Sequence, residues 1–220
     1  MSGVGDAGRG RSGHDAGGRA AGSVRDAFAT PELARHRVAA RFRAHRLARE
    51  KRALARLVAE LPPGPRLDLA CGVGTMADVL GGAAPLVGVD GSPAMCAEAR
   101  AVAAYRGVVV ADATRLPFRD GAFVSAAVVR LLHHLDGAAR RAVLAELARV
   151  VTARAVVSFF DAATLEAWRA ARRRRARGSR HAIPLAELER DLVATGWRRG
   201  GISRKLGRLT EHVYVLAERA

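Results

Sequence analysis

Arg66-Leu67-Asp68-Leu69-Ala70-Cys71-Gly72-Val73-Gly74-Thr75-Met76-Ala77 is the stretch that decides the fold. A short apolar run of strand length ends in two closely spaced glycines, and a helical stretch follows. Gly72 and Gly74 let the backbone turn tightly and come close to a ligand, and the helix expected to begin near Thr75 aims its N–H groups at it. The acid inside the run, Asp68, is out of place among apolar neighbours and needs a partner.

Outward from this stretch, short apolar runs alternate with helical ones. Leu86–Asp90, Gly107–Ala111, Phe123–Val129 and Ala155–Phe160 have the character of buried strands. Thr75–Leu80, Pro93–Ala104 and Gly137–Val151 lie between them and have helical character, as do Glu166–Arg177 and Leu185–Thr195 later on. Such alternation predicts an α/β chain with a parallel sheet covered by helices on both faces. Gly201–Leu206 and His212–Ala217 are expected to be two strands joined by a turn. Upstream, Leu54 has Leu47 seven residues before it and Leu57, Val58 and Leu61 three, four and seven after it, one face of a helix. Pro62-Pro63-Gly64-Pro65 ends that helix.

The chain has 220 residues, half of them hydrophobic, which suits one domain with a sizeable core. Residues 1–23 hold eight glycines and are expected to be a disordered tail. Residues 24–220 are expected to form a single domain: an N-terminal helical cap at 24–61, a cofactor core at 66–160 and substrate-side helices at 164–200. No apolar run approaches the roughly 20 residues of a membrane span, and the first residues lack the apolar core of a secretory signal. Cys71 and Cys96 make neither a disulfide framework nor a metal site. A cytoplasmic chain without metal is the expectation.

The net charge is +16, carried by 35 arginines and only two lysines. Residues 24–60 hold 10 basic and 4 acidic side chains, and residues 164–220 hold 14 and 6, whereas residues 61–163 are nearly neutral with 10 and 9. An acidic partner would meet the two flanks. The run Arg172–Arg175 is most simply a solvated helix face.

Three acids choose the ligand of the glycine turn. Asp90 follows Asp68 by 22 residues and Asp112 follows Asp90 by another 22, so each belongs to the end of a successive strand. The string fits the dinucleotide pattern G-x-G-x-x-A, and Asp90 would accept from ribose hydroxyls in either case. Asp68 argues against a pyrophosphate, because a second negative charge in a partly dry cleft costs several kcal/mol. It would welcome the ammonium and sulfonium of S-adenosylmethionine, which has no phosphate.

Four ordered motifs carry a resemblance. Leu67–Gly74 resembles the first motif of class I S-adenosylmethionine-dependent methyltransferases. Val87–Met95 is similar to their second-strand motif, and Ala111-Asp112-Ala113 with Leu116–Phe123 to their third. Arg130-Leu131-Leu132-His133-His134-Leu135 is similar to the segment after strand four in the type 11, ubiquinone/menaquinone-biosynthesis-like subgroup. The resemblance implies a Rossmann-like fold with a mostly parallel seven-stranded sheet and a C-terminal antiparallel strand. It implies S-adenosylmethionine as methyl donor and S-adenosylhomocysteine as product. It also implies that Asp68 and the loop Ala70, Cys71, Gly72 and Gly74 hold the methionine part. Asp90, Gly91, Ser92 and Met95 would serve ribose and adenine, Asp112 and Ala113 the adenine edge, and Arg130 and Leu131 the floor near the sulfonium. Two positions depart from the pattern: Ala70 stands for a glycine and Val124 for an aspartate.

Read by themselves, Met95 and Cys71 are core fillers, and His133 and His134 pack at a strand end; as bases they are the candidates for catalysis, with Asp161, His181 and Tyr214 behind them. The expected reaction is methyl transfer to a small or lipid-like metabolite, and the charged flanks would suit an anionic one. An RNA methyltransferase using the basic flanks is the alternative, weakened by few aromatics for base stacking. A non-catalytic S-adenosylmethionine-binding regulatory subunit is the third reading.

Overall fold

The computed structural model describes residues 44–82, 84–164, 182–208 and 212–220, with backbone alone for 44–46 and 204–208. The expected tail at 1–23, the cap residues before 44, the helix Glu166–Arg177 with its arginine run, and His181 lie outside the described residues. The order is α1 (Ala44–Val58), β1 (Arg66–Leu69), α2 (Ala77–Leu80), β2 (Leu86–Asp90), α3 (Pro93–Ala99), β3 (Tyr105–Val110) and β4 (Phe123–Val128). A 3-10 turn, Leu132–His134, leads to α4 (Gly137–Val150), β5 (Val151–Phe160), α5 (Leu185–Ala194), β6 (Trp197–Arg208) and β7 (His212–Arg219).

The seven strands lie in the order β3-β2-β1-β4-β5-β7-β6. Strands β1 to β5 are parallel, and β7 enters antiparallel between β5 and β6. The order reverses at β1, so the crevice outside the carboxyl ends of β1 and β4 is the natural ligand position.

Strand alternation sends Leu67 and Leu69 into a core with Val143, Leu144 and Leu147 of α4 and Leu188 and Leu192 of α5. Arg66 and Asp68 point the other way, to the face that Leu54, Leu57, Met76 and Leu80 cover. Arg66 is buried there with Nε donating to Ser125 Oγ at 3.0 Å and Nη1 to the Leu80 carbonyl at 2.5 Å. The expected periodicity of α1 is visible in the burial of Leu54 and Leu57, whereas Leu61, expected in the same helix, is buried three residues beyond its end.

Several expected boundaries move. The helix after the glycine turn begins at Ala77, not Thr75, because residues 72–76 are spent on turns. α3 stops at Ala99 instead of Ala104, which frees Tyr105 to start β3 two residues before Gly107. Val151 opens β5 without a loop, at φ −112° and ψ 133°. β6 begins at Trp197, four residues before Gly201; Trp197 is buried and its indole donates to the Leu144 carbonyl at 3.0 Å. Two side-chain caps fix the helices near the crevice: Ser92 Oγ accepts from Met95 N at 3.3 Å, and Asp136 Oδ1 from Ala139 N at 2.8 Å.

Candidate functional site

The turn after β1 is built from left-handed residues. Ala70 has φ +62°, Gly72 +57° and Gly74 +79°. Ala70 thus occupies a conformation that glycine adopts without strain, at a cost of about 1–2 kcal/mol for alanine. The two glycines serve different ends. A Cβ on Gly74 would stand 2.9 Å from Val102 Cγ2 and 3.0 Å from Tyr105 Cε2, so Gly74 permits the loop to pack on β3. A Cβ on Gly72 would meet nothing within 4 Å, so the backbone there borders open space. Asp90 holds this turn in place: Oδ2 accepts from Gly72 N at 3.0 Å and Oδ1 from Ser92 N at 2.8 Å.

Asp68 is 2 % exposed and accepts a hydrogen bond from Tyr105 Oη at 2.6 Å. Burial pushes its carboxyl up to about 7, helped by the charge of Asp90 and opposed by the Tyr105 hydrogen bond. Burial also raises Asp90, against the backbone N–H groups of Ser92, Gly72 and Gly91. Two acids that repel each other, Asp68 buried and Asp90 half-buried, gain from a nearby cation and lose from a phosphate. The open flank of Gly72 and this acid pair therefore fit S-adenosylmethionine, whose cationic methionine part would satisfy them.

The rest of the expected site is unevenly placed. Ser92 and Met95 are buried at the start of α3, beside Gly91. Cys71 is buried; the neighbouring Cys96 thiol, burial and the Asp68 and Asp90 charges push its thiol far up, so it is no nucleophile. Asp112 lies two residues beyond β3, not at its tip, and is exposed. Its Oδ1 accepts from Thr114 N at 2.9 Å and Thr114 Oγ1 at 2.8 Å. The expectation of three acids at three strand tips is corrected: Asp68 and Asp90 interact, and Asp112 occupies an exposed turn. Ala113 is half-buried and Leu131 is buried.

A second cluster sits at the carboxyl ends of β4 and β5. Arg130 has φ +65°, and its N–H donates to Ser158 Oγ at 2.8 Å. Its guanidinium grips Glu50 of α1, Nε on Oε1 at 2.9 Å and Nη2 on Oε2. Tyr214 Oη donates to the same Oε1 at 3.0 Å, and His212 Nδ1 lies 3.0 Å from it. Burial would raise Glu50, but His212 and Arg130 together hold its carboxyl down at about 2. His133, fully buried, stacks on Phe160 with ring centroids 3.9 Å apart, and Phe160 meets His212 edge-on at 5.3 Å. His134 is half-buried against His133. Among the expected candidates the cluster gathers Arg130, His133, His134 and Tyr214. Glu50, Phe160 and His212 were missed; the one available signal was an acid on the apolar face of α1, four residues before Leu54.

Among the described residues no helix is long and apolar enough to cross a membrane, and no group of three or more His, Cys, Asp or Glu could hold a metal ion. Residues 67–159 match a family described as "Methyltransferase domain", the type 11 methyltransferases. No curated protein matches the chain in sequence. Magnesium protoporphyrin IX methyltransferase from Synechocystis PCC 6803, solved with bound S-adenosylhomocysteine, superposes with a TM-score of 0.71 at 20% identity, covering 90% of this chain and 98% of that one. A chain of the complex between the Haloferax volcanii Trm112 methyltransferase activator and its methyltransferase partner gives 0.67 at 17% identity, over 90% and 97%. The [4+2]-cyclase SpnF gives 0.59 at 18% identity, over 76% and 79%.

Proposed function

We propose that this chain, whose residues 67–159 are a type 11, S-adenosylmethionine-dependent methyltransferase domain, methylates a small or lipid-like, anionic acceptor. The observation that carries the reading is the pair of buried Asp68 and half-buried Asp90 beside the open flank of Gly72. Residues 24–220 form the single domain of this reading, and the cytoplasm is its compartment.

S-adenosylmethionine supplies a methyl group on a positively charged sulfur. Asp68 and the turn Ala70–Gly74 would bind the cationic methionine part, with Cys71 and Gly72 lining it. Asp90 would exchange one backbone donor for the ribose hydroxyls, with Gly91, Ser92 and Met95 beside them. Asp112 and Ala113 would take the adenine edge. Leu131 and the backbone of Arg130 would close the floor, since the Arg130 guanidinium is engaged by Glu50. Alignment of donor and acceptor in a water-poor cleft can supply about 7–11 kcal/mol of the barrier. The basic flanks, 24–60 and 164–220, favour an acceptor with negative charge.

The same flanks support RNA as a second acceptor class, and salt separates the two, because phosphate contacts weaken steeply as salt rises. The test is calorimetry with S-adenosylmethionine and with NAD, followed by transfer of labelled methyl to an extract fractionated into metabolites and RNA. Binding of the sulfonium ligand alone, with label in a small molecule, is expected. NAD binding would overturn the cofactor assignment, and label confined to RNA would overturn the acceptor class. Binding without any label would favour a regulatory subunit.

A further inference from the structure

We propose that Tyr105 is a positioning residue of the donor site, whose hydroxyl holds one oxygen of Asp68 and leaves the other for the cationic part of S-adenosylmethionine. The inference rests on the donor reading above and goes beyond it by giving a role to a residue of the edge strand. Tyr105 opens β3, Asp68 lies in β1, and β2 runs between them. The phenol therefore reaches across a whole strand to donate to Asp68 Oδ2 at 2.6 Å.

Two glycines make that reach possible. Gly88 of β2 stands directly beside Asp68 in the sheet register. A Cβ on Gly88 would lie 3.1 Å from Tyr105 Cε1 and 3.1 Å from Cys71 Sγ. A Cβ on Gly74 would lie 3.0 Å from Cε2, at the other edge of the ring. The ring is thus seated between a gap in β2 and the glycine turn. A phenylalanine would fill the same seat and lack only the hydroxyl.

The hydroxyl acts against everything else that bears on Asp68. Burial and the charge of Asp90 favour the neutral acid, and the Tyr105 hydrogen bond favours the carboxylate. The groups facing Asp68 are Tyr105 from β3, Asp90 from the end of β2 and the Cys71 thiol of the turn. Arg66, two residues earlier on the same strand face, is engaged by Ser125 and the Leu80 carbonyl. Among the described residues Asp68 Oδ1 has no hydrogen-bond partner, and it is not sealed from solvent. Tyr105 thus keeps Asp68 ionised to lower pH and leaves Oδ1 to accept from the donor's ammonium. Without the hydroxyl, a cation arriving near neutral pH would meet a carboxylic acid.

Two measurements test this. In carbon-13 NMR of the ligand-free full chain, the Asp68 carboxyl carbon should titrate with a midpoint of about 7. The Tyr105 Cζ carbon should move through the same midpoint, and Tyr105→Phe should raise the Asp68 midpoint by about one pH unit. A Tyr105 Cζ signal that ignores the Asp68 titration overturns the proposal, whether or not the variant folds. In calorimetry, Tyr105→Phe should bind S-adenosylmethionine about fivefold more weakly near pH 7 and come level with the unsubstituted chain by about pH 9. Comparing the two chains at each pH cancels the donor's own titration. Equal affinities near pH 7, or a loss of the same size at every pH, overturn the positioning role alone. An unsubstituted chain that binds no S-adenosylmethionine at any pH overturns the donor reading and the positioning role with it.

Discussion

Two arginines paired with acids show how like chemistry serves unlike ends. Arg140 of α4 is 2 % exposed; its Nε donates to Asp191 Oδ2 at 2.6 Å and its Nη2 to Glu187 Oε1 at 2.5 Å, both on α5. Arg130, half-buried, grips the buried Glu50. The first cluster ties one helix to the next on the face away from α1, with ordinary backbone and no histidine. The second bridges α1, β4 and β7 at the carboxyl ends of the strands, with a left-handed arginine and two polar rings sharing one carboxylate. The contrast is between a tie from helix to helix and a tie that joins a helix to the ends of the strands.

The largest expected effect breaks the structural cluster. Arg140→Ala leaves Asp191 buried without its main partner and should cost about 3–5 kcal/mol in denaturant unfolding. Donor affinity of the folded fraction should stay unchanged in calorimetry; a loss of affinity would erase the contrast between the two clusters.

Acid probes the other cluster. The folded pKa of Glu50 is depressed, from 4.5 to about 2. Its contribution is therefore fully present above the unfolded value and is lost as pH falls from 4.5 towards 2. About 3 kcal/mol of stability should disappear across that window, and Glu50→Gln should flatten this part of the profile in pH-resolved unfolding.

Smaller effects concern the cofactor side. Asp90→Ala should weaken S-adenosylmethionine binding by about 1–3 kcal/mol through lost hydrogen bonds. Asp68 runs the opposite way in pH to Glu50. Its raised folded pKa, about 7, means that it becomes a carboxylate only near neutrality. Affinity for a cationic ligand should therefore rise by about 1 kcal/mol as pH increases through 7, a rise that Asp68→Asn should lack. The smallest effect is Ala70→Gly, which relieves a left-handed alanine at φ +62° while loosening the unfolded chain. The melting temperature should move by no more than the equivalent of about 1 kcal/mol.

How much of this was legible follows from locality. The glycine turn, Asp68, Asp90 and the Ser92 cap lie within 25 consecutive residues, and their spacing encodes their geometry. The mostly parallel seven-stranded sheet followed from alternating apolar runs and a resemblance. Helix ends were less legible, because Ala99–Ala104 has helical composition and only the packing of Val102 and Tyr105 against Gly74 ends α3 there. Val124, a departure from the family pattern, proves to be at the start of β4, against Gly64 and at the opposite end from the crevice. Glu50 and His212 were illegible, since no local pattern announces a contact between the first described helix and the last strand.

That contact has a consequence for how the molecule comes into being. Tyr214 and Glu50 are 164 positions apart, and Arg130 and Glu50 are 80 apart. Such distant closures are slow to form. During synthesis the glycine turn and the strands beside it emerge first, whereas the tie that binds helix, strand and imidazole must wait for β7 to leave the ribosome. A chain shortened before residue 212 would therefore lack that tie, and with it the strand that lies between β5 and β6.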